Sequence, residues 1–229
     1  MLKGYLELIK HLFISLALGA FSGVLAGMIV SKIFFLVPFF KKEMPLESFF
    51  IIFLSNSFLS TLICYGGIFF CLIEIKVYSF SAYKLFDRIF DPFYNFLGNL
   101  SKKIKRLKPM YRSCYFSLFY FPLGCLFLFS FLISTFFSVF INLLGLSVFP
   151  SLTKLFPHIF LETLVFSFSA FQALKIERKL EIFLFKERIK EVKKESLRLL
   201  KDMKIWRGLF ICYVILLFST FVEKFFVEL

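Results

Sequence analysis

The chain has 229 residues, of which 59% are hydrophobic, 19% are charged and 39 are phenylalanine. Soluble domains hold about 45–50% apolar and about 25% charged residues, so the composition excludes a soluble globular enzyme, a disordered chain and a disulfide scaffold, and it indicates a polytopic membrane protein. The net charge of +13 comes from 28 Lys+Arg against 15 Asp+Glu; such an excess suits either nucleic acid or the positive cytoplasmic loops of a membrane protein, and its distribution along the chain chooses.

A bilayer-crossing helix needs about 20 mostly apolar residues. The first such run, 12–31, lies between Lys10 and Lys32. Val24-Leu25-Ala26 resembles the approach to a signal-peptide cleavage site, but the run is longer than a usual signal core and the rest of the chain is equally apolar, so an uncleaved span is expected. Within it Gly19, Gly23 and Gly27 form GxxxGxxxG, a small-residue stripe for close helix packing, either inside this chain or between copies of it.

The second run is 48–73. Residues 74–112 then carry nine basic and three acidic side chains. Here Tyr83, Phe86, Phe90, Phe93 and Leu97 recur every three or four residues, which suits amphipathic helices in the headgroup layer. Asp91-Pro92 predicts an N-cap and N1 proline at a bend between two of them. The basic run Lys102-Lys103-Ile104-Lys105-Arg106-Leu107-Lys108 reads as an orientation signal or as a patch for lipid phosphates.

Residues 113–153 are uncharged. Gly145 and Pro150 predict a helix end near 145, which gives a third span over 116–145. The fourth run, 156–174, is interrupted only by His158 and Glu162, and Pro157 is placed to start its helix. In 175–207 twelve basic and six acidic residues accompany apolar positions at helical spacing: Phe185, Ile189, Val192, Leu199, Met203 and Trp206, with one turn passing through Ser196. Without Gly or Pro there, one continuous helix over 178–204 is predicted, which covers the inner mouth of the bundle, docks a partner or attaches to an anionic lipid surface. A fifth span over 206–224 completes an all-α polytopic membrane helix bundle, treated as a single integral membrane domain over 1–229.

Five spans put the termini on opposite sides. With the N-terminus inside, the inner segments 1–11, 74–112 and 175–207 carry +1, +6 and +6, while the outer segments 41–47, 145–155 and 223–229 carry 0, +1 and −1. The positive-inside rule therefore predicts a cytoplasmic N-terminus and an outer C-terminus in the cell membrane. Topology absorbs the charge, and no nucleic-acid partner is required. Walker, GxGxxG and zinc-finger spacings are absent. The five cysteines form no CxxC pair and read as free, buried residues.

Glu162 is the most informative residue, because a carboxylate within a span is costly and is usually paired or functional. His158 lies one turn earlier on the same face. In this topology Glu162 sits roughly 9 Å deep and Asn56 about 12 Å deep, at about 1.5 Å per residue, with Asn142 near the outer end of the third span. Asn56, Asn142, His158 and Glu162 thus form the candidate intramembrane polar cluster. It is read as a structural knot, with a proton or ion site as the alternative. A hydrolytic zinc site wants three protein ligands, whereas the chain has two histidines, and HExxH and GxSxG are absent. No metal, cofactor or catalytic residue is expected.

The segment Phe156-Pro157-His158-Ile159-Phe160-Leu161-Glu162 resembles a signature of the stage II sporulation protein M family of bacterial and archaeal polytopic membrane proteins. Pro157, His158 and Glu162 match its Pro-His with a Glu four residues after the His. Phe53-Leu54-Ser55-Asn56 followed by Gly66-Gly67 is similar to the family's Asn-containing segment. Ile159 and Leu164 stand where the family commonly has Gly and Pro. The resemblance implies a membrane component with no catalytic centre of its own, one that anchors cell-wall-degrading partners in sporulating bacteria. The expected function is therefore a non-catalytic membrane scaffold or anchoring subunit, or alternatively a small transporter or channel subunit using the cluster around Glu162. Membrane lipid is the expected surrounding partner, with protein partners or self-association through the glycine stripe or the 175–207 helix.

Overall fold

The computed structural model describes residues 2–33, 46–78, 107–144 and 149–227. Within them lie six helices and no strand: α1 (Leu2–Ile33), α2 (Leu46–Val77), α3 (Pro109–Leu144), α4 (Phe149–Phe185), α5 (Ile189–Leu200) and α6 (Met203–Val227). Five carry stretches long and apolar enough to cross a membrane: Leu6–Val30, Phe50–Val77, Pro109–Val139, Phe156–Phe185 and Met203–Val222. The protein is an all-α polytopic membrane protein, and the apolar runs read from the sequence lie inside these helices, the third of them as far as 144, beyond which residue 145 lies outside the described residues. The aromatic segment from Tyr83 to Leu97 and the basic cluster at 102–106 lie outside the described residues.

Contacts divide the chain into two compact units, one of 1–61, 123–171 and 208–229, the other of 62–122 and 172–207. In lipid, burying apolar surface between helices gains little, so close backbone approach and interhelical hydrogen bonds must hold them together. The first unit shows both. The glycine stripe of α1 packs on α3: a methyl group added at Gly19 or Gly23 would overlap the carbonyl oxygen of Phe127 or Phe131, and one at Gly27 would meet Thr135 O at 2.7 Å. Serines bind across the same seam. Ser130 donates to Leu16 O at 2.8 Å and Ser138 to Val24 O at 3.0 Å, while Ser15 donates back to Leu123 O at 2.5 Å. These partners advance together along both helices, so α1 and α3 are parallel. The pairs Asn56–Glu162 and Ser60–Ser169 likewise make α2 and α4 parallel. The pairs His158–Ser219 and Ser169–Cys212 run in opposite senses, so α4 and α6 are antiparallel. This is the order of directions that alternating crossings by α1, α2, α3, α4 and α6 require.

In the second unit Gly66 and Gly67 of α2 let α3 approach: a methyl at Gly66 would strike the Phe121 ring, and one at Gly67 would lie 2.7 Å from Ser117 O. Below them the buried Cys114 thiol faces Cys71 O at 3.8 Å. Tyr65 and Trp206 pack at 5.4 Å between ring centroids, and Tyr115 and Phe185 at 5.9 Å.

Two sequence expectations are corrected. Residues 178–204 are not one helix: α4 stops at Phe185, α5 begins at Ile189, and a second break at 201–202 precedes α6. The first break is a Schellman closure, with Arg188 N–H bonded to Phe183 O at 2.9 Å and Glu187 N–H to Leu184 O at 3.0 Å. Glycine normally fills its left-handed position, but Glu187 does so here at φ 52°. Contacts from the start of α3 hold it: Lys108 Nζ pairs with the Glu187 carboxylate, and Tyr111 donates to Glu187 O at 2.6 Å. The second break is capped by Asp202, which accepts Lys204 N–H at 2.9 Å. Of the predicted apolar face, Val192, Ser196 and Leu199 are buried, whereas Met203 is 65% exposed. The second correction concerns Pro157. It lies inside α4, whose helix begins at Phe149, and does not start that helix. Eight residues from the helix start, it takes one backbone donor out of α4.

Candidate functional site

The polar cluster forms where α2, α4 and α6 meet in the first unit. Asn56 lies on α2 and Glu162 on α4, each inside a stretch long and apolar enough to cross a membrane. The parallel packing of α2 and α4 brings the two side chains together. Asn56 Nδ2 donates to Glu162 Oε1. His158 Nε2 lies 3.4 Å from the same oxygen. Both His158 and Glu162 are 7% exposed. The spacing of four residues sets them on one face of α4, and that face is turned inward, away from Phe156 and Phe160, which are exposed.

The opposite ring nitrogen of His158 is met by Ser219 on α6. Its hydroxyl lies 2.8 Å from Nδ1 and its carbonyl oxygen 3.1 Å away. The two oxygens serve two protonation patterns. With the proton on Nε2, the ring donates to Glu162 and Nδ1 accepts from the Ser219 hydroxyl. With the proton on Nδ1, the ring donates to the Ser219 carbonyl, and Nε2 accepts only if Glu162 carries a proton. A proton therefore fits at either end of the His158–Glu162 contact without loss of the surrounding bonds. An imidazole held by a second group at its far nitrogen has its ring orientation and tautomer set by that group.

The polar contacts continue along the same helices. Ser60 and Ser169 hydroxyls are 2.7 Å apart, Ser169 also lies 3.9 Å from the Cys212 thiol, and Thr61 bonds to Tyr213 at 2.6 Å. Three of the four predicted cluster residues, Asn56, His158 and Glu162, come together. Asn142 does not join them: its amide donates to Ser138 O at 2.8 Å and to Ser138 Oγ at 3.3 Å, one turn back on α3. A local acceptor satisfies it, so it needs no partner across the bundle. The sequence reading missed Ser219. A serine in an apolar span draws little notice, and only the position of α6 against His158 identifies it.

Among the described residues no three His, Cys, Asp or Glu side chains gather as metal ligands would. A cavity of about 460 Å³ in the same unit is lined by apolar side chains of α1, α4 and α6, among them Ile9, Leu12, Leu164, Phe168 and Ile211. None of the four cluster residues lines it. The chain matches no protein-family model, no curated protein and no solved structure.

Proposed function

We propose that this integral membrane protein is a non-catalytic scaffold or anchoring subunit of the cell membrane, similar in role to stage II sporulation protein M. One observation carries the reading: four polar groups of the apolar helices, Asn56, His158, Glu162 and Ser219, are turned on one another. Glu162 is bonded by Asn56 and flanked by His158, and His158 is held by Ser219. A carboxylate engaged in this way locks three helices together. The glycine stripe is likewise closed by α3 of the same chain. The positive segments support a cytoplasmic N-terminus and an outer C-terminus. Cysteine placed at Ile104 should label from the inside and cysteine at Met44 from the outside.

A second reading, a small ion- or proton-coupled transporter subunit, draws on the two proton positions of the His158–Glu162 contact. Co-purification from native membranes separates the two. The scaffold reading expects a stoichiometric membrane or wall-associated partner that persists in Glu162→Gln. No retained partner, together with ion flux in vesicles that Glu162→Gln abolishes, replaces it with the transporter reading.

A further inference from the structure

Residues 186–207 contain four acidic side chains, and each is engaged. Glu187 pairs with Lys108, Glu191 with Arg188 at 3.3 Å, Glu195 with Arg198 at 2.7 Å, and Asp202 with Lys179 at 3.9 Å. Asp202 is held further by its cap on Lys204 N–H. Seven of the nine basic side chains in this segment make no ion pair among the described residues: Lys186 at the first break, Lys190, Lys193 and Lys194 on α5, and a group of three, Lys201, Lys204 and Arg207, all exposed. These three fall within two turns of chain at the α5–α6 elbow. Between them stand two exposed apolar side chains, Met203 at 65% and Trp206 at 41%. Met203 opens the apolar stretch Met203–Val222.

The elbow is fixed rather than loose. The Trp206 indole N–H donates to Leu200 O at 2.8 Å, and its ring packs on Tyr65. Lys201 N–H closes onto Arg198 O at 3.1 Å and Asp202 N–H onto Leu199 O at 3.1 Å.

We propose that this elbow binds the headgroups of anionic phospholipids. At the first turn of a span the neighbouring phase is the headgroup layer, where tryptophan is favoured. Three cations there attract anionic lipid phosphates, and the Arg207 guanidinium suits a phosphate's paired oxygens. The exposed faces of Met203 and Trp206 sit beside them, at the level of the first acyl carbons. A soluble acidic partner would match the charges but not these apolar faces. The site depends on α6 spanning the membrane and is independent of the scaffold reading.

Trp206 is the chain's single tryptophan, so its fluorescence reports on this site alone. The full-length protein is reconstituted in phosphatidylcholine bilayers with equal fractions of dibrominated phosphatidylglycerol or dibrominated phosphatidylcholine. One basic side chain near an anionic surface corresponds to a preference of about 5-fold, so the anionic lipid should quench Trp206 with an apparent affinity at least about 5-fold higher. Raising salt to about 1 M should shrink the preference. The variant Lys201→Gln/Lys204→Gln/Arg207→Gln should lose it while keeping the wild-type emission maximum. Lys190→Gln/Lys194→Gln should keep it, because Lys194 lies about 10 Å from Lys201 along the chain at helical rise. Equal quenching by the two lipids in the wild type overturns the proposal. A preference that survives the triple variant, or one lost equally in the double variant, overturns the assignment to the elbow.

Discussion

The Asn56 side-chain amide on α2 donates to the Glu162 carboxylate on α4, and both residues lie within stretches long and apolar enough to cross a membrane. The bond joins two helices that run parallel, which in turn requires a complete crossing, α3, between them. One hydrogen bond thus reports on the order of the spans as well as on the chemistry of the site.

The α1–α3 seam makes an opposed pair of predictions. Gly23→Ala places a methyl group against Phe131 O and should destabilise the protein by about 1–3 kcal/mol through overpacking. Gly124 has nothing within 4 Å of an added methyl, so Gly124→Ala should be stabilising by about 0.5–1 kcal/mol through helix propensity. Thermal unfolding in one detergent measures both. Equal effects of the two variants would refute close packing at Gly23.

Glu187 combines a left-handed backbone with a side-chain pair to Lys108. A left-handed non-glycine residue costs roughly 1–2 kcal/mol, and an ion pair this exposed offsets little of that. Glu187→Gly should therefore be as stable as the wild type or more so, and Glu187→Val clearly less stable. The hydrogen bond from Lys108 to Glu187 raises the lysine pKa above its ordinary 10.5. A raised basic pKa contributes stability that is complete below the unfolded value and is lost as pH rises through the folded one. Hydrogen exchange of the amides at 186–188 should thus gain protection loss above about pH 10.5 in the wild type, and that extra loss should be absent in Lys108→Gln.

Ser196 is fully buried on α5, and its hydroxyl lacks a hydrogen-bond partner among the described residues. Removing an unsatisfied buried hydroxyl relieves its desolvation cost, and alanine is the better helix former. Ser196→Ala should raise stability by about 1 kcal/mol. A loss of that size would show that the hydroxyl has a partner.

The spans were legible because hydrocarbon leaves few alternatives to a long apolar helix. Glu162, His158 and Asn56 were legible for the same reason: a polar group within a span must find another. Asn142 misled because an amide in a helix can bond to the preceding turn, an outcome that composition and span order do not distinguish. The breaks flanking α5 were hidden differently. Glu187 carries no local signal for a left-handed turn, and contacts from Lys108 and Tyr111, far away in sequence, select that conformation. Asp202 did carry a signal, as a preferred N-cap residue, but the apolar spacing across it was read as continuous helix.

The central claim is that Asn56 and Glu162 hold the helices together as a pair. The most direct measurement is a double-mutant cycle of Asn56→Ala and Glu162→Ala in thermal unfolding, with Glu162→Gln as the shape-preserving reference. Each alanine variant should lose about 1–3 kcal/mol by stranding its partner, Glu162→Gln should stay close to the wild type, and the double variant should lose little more than either single one, for a coupling of about 1 kcal/mol or more. Losses that add to within about 0.3 kcal/mol, or a Glu162→Gln variant as unstable as Glu162→Ala, would contradict the claim.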